Sequence, residues 1–300
     1  MDADSAPSRT RQGWWWKALL SGLILWAATV VVTVTTHSTN LVPTLILVGS
    51  FLVPFCVVLF AAERISGTLT PLDVFMAFFL GGIFGVLGVS LLESNLQASP
   101  WLYVRVALVE EFVKAAILVV LGRSVAPKSA PQGALLGACI GAGFAAFESA
   151  GYAFSAAVTA TGIDVGSLLQ SEATRSILTP LCHVLWTALL GAVIFGAAQR
   201  TSRYRLTGGV LAAFAGVVVL HALWDSMQVL SELLAAAAGG GAPGNGAADH
   251  ARSLAPVVYV AGLVLVAAAG FGALALVMRR SGPRKGARER GSAPAAQPPE

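Results

Sequence analysis

Two adjacent glutamates and a lysine lie in the middle of an apolar stretch of the chain. Glu110, Glu111 and Lys114 are surrounded by the hydrophobic residues of 101–121. A charged side chain at the centre of a membrane costs about 2.5–3.5 kcal/mol even on the lenient insertion scale, so a segment that only spanned the bilayer would not carry three. On a helix, Lys114 follows Glu111 by three residues and Glu110 by four, so its ammonium can reach either carboxylate. We interpret these residues as a functional group.

Three further apolar stretches carry ionisable side chains. They contain Glu148, His183, and the pair His221 and Asp225. His221 and Asp225 are four residues apart, so the carboxylate can orient the imidazole and fix its tautomer. Carboxylates and imidazoles in a partly dry cavity can activate a water molecule and stabilise an oxyanion. Histidine and glutamate are also zinc ligands, although the sequence lacks the HExxH signature of many zinc proteases.

The composition excludes a soluble protein. Of the 300 residues, 56% are hydrophobic and only 11% are charged, whereas about 25% of the residues of a soluble domain are charged. Apolar runs of 18 or more residues are typical of transmembrane helices. We therefore predict an all-α polytopic membrane protein, a bundle of about eight transmembrane helices. The predicted spans are residues 17–36, 41–62, 72–92, 101–121, 132–157, 177–198, 206–234 and 254–278.

The distribution of lysine and arginine predicts that both termini are cytoplasmic. Nearly all basic residues fall in segments that lie on the same side of the membrane as the N-terminus. The predicted outer loops hold only Arg175 and Arg252. The formal net charge of +4 therefore reflects membrane topology, and we predict no nucleic-acid partner. The use of arginine over lysine, with abundant alanine, glycine and valine, indicates a bacterial protein, so we expect a multi-pass protein of the bacterial cytoplasmic membrane.

Three regions follow from these patterns. Residues 1–16 are predicted to be a disordered cytoplasmic N-terminus, and 280–300 a disordered, basic and proline-rich cytoplasmic tail. Residues 17–279 form the eight-helix membrane domain, with a catalytic core at about 101–234. Within this core we predict that residues 159–175 form the loop before the sixth span.

With this topology, four helices place their ionisable residues between the midplane and the outer face. Glu110 and Glu111 lie nine or ten residues from the outer end of their span, a depth of roughly 14 Å. Glu148 lies at about the same depth on the next span. Singly, each residue has a structural explanation, such as an ion pair or a hydrogen bond between helices. Their coincidence at one depth favours a common site.

Four motifs on successive spans resemble those of the PrsW family of intramembrane proteases, distant relatives of the type II CAAX prenyl proteases. They are EExxK at 110–114, FxxxE from Phe144 to Glu148, a histidine helix that begins at His183, and HxxxD from His221 to Asp225. The motifs occur in the family's order and cover about 106–228, a little under half of the chain.

The resemblance implies an intramembrane endopeptidase that cuts a single-span membrane protein on its outer side, as the founding members cut an anti-sigma factor. It implies catalytic roles for Glu110, Glu111, Glu148, His183 and His221, and supporting roles for Lys114, Asp225 and Phe144. Glu110 or Glu111 would be the general base, Lys114 would hold the acidic pair, and Asp225 would orient His221. A zinc ion could be held by His183, His221 and Glu148, while the residue types slightly favour water activated by glutamate and histidine alone.

Two other classes of function use intramembrane polar residues. A proton-coupled transporter could use the glutamates, histidines and aspartate as a relay, but the sequence shows no inverted repeat. A non-catalytic scaffold could bind single-span partners through the glycine-rich third and fifth helices. Membrane lipid is a partner in every case.

Overall fold

The structure, a computed structural model, describes residues 13–65, 67–238 and 245–281. The α-helices of these residues are α1 (Trp14–Thr36), α2 (Val42–Arg64), α3 (Pro71–Glu93), α4 (Leu102–Leu121), α5 (Ala130–Ala157), α6 (Val165–Leu178), α7 (His183–Ala198), α8 (Gly208–Ala238) and α9 (Asn245–Ser281). Short 3-10 turns precede α2 and α7. A hairpin of two antiparallel strands, β1 (Val158–Thr159) and β2 (Gly162–Ile163), joins α5 to α6.

Seven helical stretches of the described residues are long and apolar enough to cross a membrane. One of them runs from Val165 to Ala198 and combines α6 with α7. The 20-residue helix α4 is not among these seven, because it carries the charged residues Arg105, Glu110, Glu111 and Lys114. The predicted all-α polytopic bundle of about eight helices is confirmed, and the orientation of the termini stays a prediction.

The prediction that residues 159–175 form a loop was wrong. They contain the hairpin and most of α6, whose 14 residues mix serine, glutamine, glutamate and arginine with apolar positions and therefore form no apolar run. Asp164 caps α6 by accepting a hydrogen bond of 3.0 Å from the backbone N–H of Ser167. This hydrogen bond and a second from the Ser167 hydroxyl hold the pKa of the exposed Asp164 carboxyl below its usual value.

Glycines at every fourth position of α5 let α7 approach to backbone contact. A methyl group at each would fall on a carbonyl oxygen of α7; the pairs are Gly133 with Gly191, Gly137 with Thr187, and Gly141 with His183. The two helices run antiparallel, and α3 contacts another face of α5, where Gly81 approaches the backbone of Ile140. Most of α5 is buried as a result, so α5 is the central element of the bundle.

Contacts between turns define one end of the bundle, which we name the basic end. There the backbone N–H of Trp14 donates to Glu63 Oε1 at 2.6 Å, and the hydroxyl of Thr68 donates to the carbonyl of Ala126 at 3.0 Å. The α7–α8 turn joins them, because Lys128 Nζ lies 5.0 Å from the ring centre of Tyr204. The opposite end carries β1 and β2, and we name it the hairpin end.

The predicted terminal segments fall mostly outside the described residues. Residues 1–12 and 282–300 are not among those that the structure describes. Trp14–Trp16, predicted as part of the N-terminal segment, belong to α1, and α9 continues through Arg280 to Ser281.

Replacement of Gly137 by alanine is expected to destabilise the bundle. The added methyl group would collide with the carbonyl of Thr187, and overpacking of this kind costs about 1–3 kcal/mol. Gly151→Ala is the matched control on the same helix, because nothing lies within 4 Å of a methyl group there and alanine favours the helix. Unfolding by SDS titration in mixed micelles measures the difference. Equal stability of the two variants would contradict the close approach of α5 and α7.

Candidate active site

The structure brings all eight predicted site residues into one cluster between α4, α5, α7 and α8. α4 contributes three of them, α5 two, α7 one and α8 two; they are Glu110, Glu111, Lys114, Phe144, Glu148, His183, His221 and Asp225. The helical spacing of each motif puts its polar side chains on the face that points into the bundle.

Lys114 is the cation at the centre of this cluster. Its Nζ lies 2.6 Å from Glu111 Oε1 and 3.4 Å from Glu110 Oε2. Lys114 and Glu111 are fully buried, and Glu110 is only 5% exposed. The ring of Phe144 covers the ammonium at 4.5 Å, a cation–π contact that gains strength without water. Lys114 therefore balances both glutamates from one position.

His221 is held by the second glutamate of the pair. Its Nδ1 lies 2.9 Å from Glu111 Oε1, so the ring N–H donates there. The other nitrogen, Nε2, faces Asp225 Oδ2 at 3.3 Å and Glu110 Oε2 at 3.7 Å. We predicted that Asp225 orients His221; the shorter contact to the ring comes from Glu111, and Asp225 lies at the opposite nitrogen.

His183 is held in the same way by a different carboxylate. Its Nε2 lies 3.1 Å from Glu148 Oε2, and its Nδ1 lies 3.1 Å from Lys114 Nζ. An ammonium group can only donate, so Nδ1 accepts and the proton of the neutral imidazole is on Nε2, where it is donated to Glu148. The Nδ1 atom also faces Glu110 Oε2, at 3.8 Å.

Arg175 completes the surroundings of Glu148, and sequence reasoning missed it. Its guanidinium forms an ion pair with Glu148 and donates to the hydroxyl of Ser149 at 2.8 Å. It also stacks over the ring of Tyr152, 4.2 Å from the ring centre. We had assigned Arg175 to a loop. No local pattern in the sequence places Arg175 near the site, because α6 ends at Leu178 and a 3-10 turn separates it from α7.

Two tryptophans close the side of the site next to the histidines. Trp186 is fully buried, with its ring centre 4.9 Å from that of His221 and 6.1 Å from that of His183. Trp224 packs against Trp186 at 5.8 Å. This aromatic wall excludes water, and electrostatic interactions are stronger in such surroundings.

Three donor atoms of the cluster fit a metal ion. One atom each from Glu110, His183 and His221 lies within 4.8 Å of the others. The distances of 3.7 and 3.8 Å from Glu110 Oε2 to the two histidines are close to the separation of about 3.4 Å between tetrahedral zinc ligands, and two histidines with a glutamate are a known catalytic zinc set. In each histidine the far nitrogen donates to a carboxylate, the arrangement that usually supports ligand histidines.

The charges of the cluster also fit a dication. Among the side chains that these contacts join, four carboxylates outnumber the two basic groups, Lys114 and Arg175, by two. We predicted Glu148 as the carboxylate that would bind a metal with the two histidines. The structure groups Glu110 with them instead, because Glu148 is engaged by Arg175 and by the far nitrogen of His183.

Comparison with known proteins identifies one family. A family model described as PrsW family intramembrane metalloprotease matches residues 70–269, two thirds of the chain. The match covers α3 to α8 and most of α9, and includes every residue of the cluster. No curated protein and no solved structure matches.

Replacement of Lys114 by methionine is expected to cost about 3–5 kcal/mol of stability, because it leaves a fully buried carboxylate without its cation. The double variant Lys114→Met/Glu111→Gln should recover part of this loss, since it removes the unpaired charge as well. The measurement is unfolding by SDS of these two variants and of Glu111→Gln alone, which together with the wild type form a double-mutant cycle. If Lys114→Met unfolds like the wild type, the ammonium does not balance the acidic pair.

Proposed function

Because the chain belongs to the PrsW family of intramembrane metalloproteases, we propose that it hydrolyses peptide bonds of single-span membrane proteins at the centre formed by Glu110, His183 and His221. The family makes the chain a membrane protease. Membership of this family favours a protease over the two alternatives that the sequence left open, a transporter and a non-catalytic scaffold. The substrate, the roles of the residues and the identity of the metal are our proposals.

One observation carries the assignment of the centre. One ring N–H of each histidine donates to a carboxylate behind it, Glu111 for His221 and Glu148 for His183. The other ring nitrogen of each lies within 4 Å of Glu110 Oε2, and that of His221 also faces Asp225. A pair of histidines that only joined helices would not need a separate carboxylate behind each ring. The arrangement supports a site in which both front nitrogens act together on one species.

We propose that this species is a zinc ion held by Glu110, His183 and His221. When bound, zinc polarises a carbonyl oxygen and makes water a nucleophile at neutral pH. The Lys114 ammonium contacts both Glu110 and His183. It would give up these two contacts to a metal and keep its ion pair of 2.6 Å with Glu111. In this proposal Glu148 is not the metal ligand that the sequence predicted, but the carboxylate that supports His183.

The two adjacent glutamates take different roles in this proposal. Glu111 is closed between Lys114 and His221, with contacts of 2.6 and 2.9 Å, so it positions these groups. Glu110 is the member of the pair whose oxygen faces both histidines. Asp225, the most open carboxylate of the cluster with 29% of its side chain exposed, lies on the side from which a peptide would arrive.

We further propose that cleavage occurs in the outer half of the bilayer. Glu148 lies nine residues from the hairpin end of α5, a depth of roughly 14 Å. The predicted orientation puts the hairpin end outside the cytoplasm, because the basic residues gather at the opposite end. A bacterial membrane-anchored regulator of the anti-sigma-factor type, cut close to its outer surface, matches this depth.

Purified wild-type protein is expected to contain about one zinc ion per chain. Glu110→Ala and His183→Ala should reduce zinc to background because they remove ligands. Glu148→Ala should retain part of it, since loss of a carboxylate behind a ligand histidine lowers metal affinity about 10–100-fold. Glu232→Ala, at an exposed position on α8, is the matched control. Elemental analysis by mass spectrometry gives the metal content; unchanged zinc in Glu110→Ala would exclude Glu110 as a ligand.

Cells that carry the wild-type protein should contain new protein N-termini that disappear with Glu110→Ala/Glu111→Ala at matched expression. We expect them to map to outer, membrane-proximal segments of single-span proteins. Single variants Glu110→Gln and His221→Ala should each abolish the same termini, and Glu232→Ala should retain them. Quantitative profiling of N-termini under several envelope stresses is the measurement. Identical profiles for wild type and double variant would contradict proteolysis at this centre.

A further inference from the structure

A cavity whose lining includes no residue of the carboxylate cluster lies between the helices of the bundle. It has a volume of about 480 Å³ and lies between α1 and α2 on one side and α5, α7 and α9 on the other. Only hydrophobic residues line it, among them Trp15, Phe60, Ala138, Leu185 and Met278. We name this cavity the apolar groove. Its floor reaches buried residues of α5 and α7, so it is deeper than the ordinary contact surface between a helix and lipid.

The volume of the apolar groove suits a hydrocarbon chain and not a protein segment. A spanning helix about 30 Å long and 10 Å across occupies on the order of 2,000 Å³, several times the volume of the groove. A lining with no charged or hydrogen-bonding partner also offers nothing to a polar peptide. A lipid acyl chain has the matching shape and chemistry.

Exposed basic side chains surround the end of the apolar groove that lies at the basic end of the bundle. Arg64 precedes the lining residue Ile65 and stacks on the lining residue Phe60, 3.5 Å from its ring centre. Arg279 directly follows Met278 of the lining. Lys17, on the opposite face of α1 from the lining residue Trp15, stacks on Trp14 at 5.0 Å and lies at the same end of the bundle. These cations and tryptophans mark the depth at which lipid head groups lie.

We propose that the apolar groove binds an anionic phospholipid, with an acyl chain between α2 and α9 and the phosphate near Arg64 and Arg279. Basic pockets between helices on the cytoplasmic side bind anionic head groups in this way. Eight of the eighteen lining residues precede residue 70, and the three on α9 follow residue 269. The site is therefore built largely from parts of this chain outside the family match.

An occupied groove would support the helix that carries His183. The floor residues Val184, Leu185 and Ala188 follow His183 on α7, and the lipid would fill the space between this helix and α2. Lipid binding itself does not depend on catalysis, so it can be tested whether or not the proposed protease activity is found.

Native mass spectrometry of the purified full chain tests the site. The probes are palmitoyl-oleoyl phosphatidylglycerol and palmitoyl-oleoyl phosphatidylcholine, offered together in equal amounts, because they share acyl chains and differ in head-group charge. We expect the phosphatidylglycerol adduct to dominate. Arg64→Gln/Arg279→Gln should weaken it by roughly fivefold for each arginine lost. Arg203→Gln/Arg205→Gln removes the same charge from the exposed α7–α8 turn and should leave the adduct unchanged.

A second pair of variants tests the hydrocarbon part of the site. Leu274→Trp would fill the groove, which Leu274 lines, and should reduce adducts of both lipids. Leu276→Trp, on the exposed side of the same helix, should not. Equal binding of the two lipids by the wild type, an equal loss in the two arginine pairs, or an unchanged adduct in Leu274→Trp would each overturn the proposal.

Discussion

The buried ammonium of Lys114 is the interaction on which the arrangement of the site depends. It contacts Glu110, Glu111 and His183, which come from two helices, and Glu111 in turn holds His221 of a third. Without water, the free energy of each unpaired charge would be several kcal/mol higher. One cation therefore contacts two carboxylates and the imidazole of His183 directly, and it supports the imidazole of His221 through Glu111.

The helix α5 provides the rigid support for this arrangement. Its glycines allow α7 to approach to backbone contact, and the contact at Gly141 lies on the carbonyl of His183 itself. α3 approaches from another side, and Gly85 leaves room for the ring of Phe144, which covers Lys114. α1 and α2 pack outside this core, and they lie outside the family match.

The sequence was sufficient to predict the helical bundle and the residues that meet in it. Charged residues in apolar runs are rare and costly, so Glu110, Lys114 and His221 were evident without a structure. The partners of these residues are harder to predict from the sequence. The pairing of His221 with Glu111, and of Glu148 with Arg175, depends on the rotation and crossing of helices far apart in the chain, which no local pattern encodes. The grouping of Glu110, rather than Glu148, with one nitrogen of each histidine depends on the same packing of helices. α6 was missed because its short, mixed sequence has the composition of a loop.

The backbone contact between α5 and α7 also means that different parts of the protein differ in how well they tolerate substitutions. The position of His183 is determined by main-chain atoms that meet at glycines, so a larger residue at any of these glycines displaces the imidazole. The exposed apolar faces of α1, α3 and α9, with residues such as Leu25, Leu87 and Leu265, meet only hydrocarbon, where one apolar side chain replaces another at little cost. These faces can therefore accept other apolar side chains without displacing the polar cluster, whereas the glycine positions of α5 cannot accept larger ones.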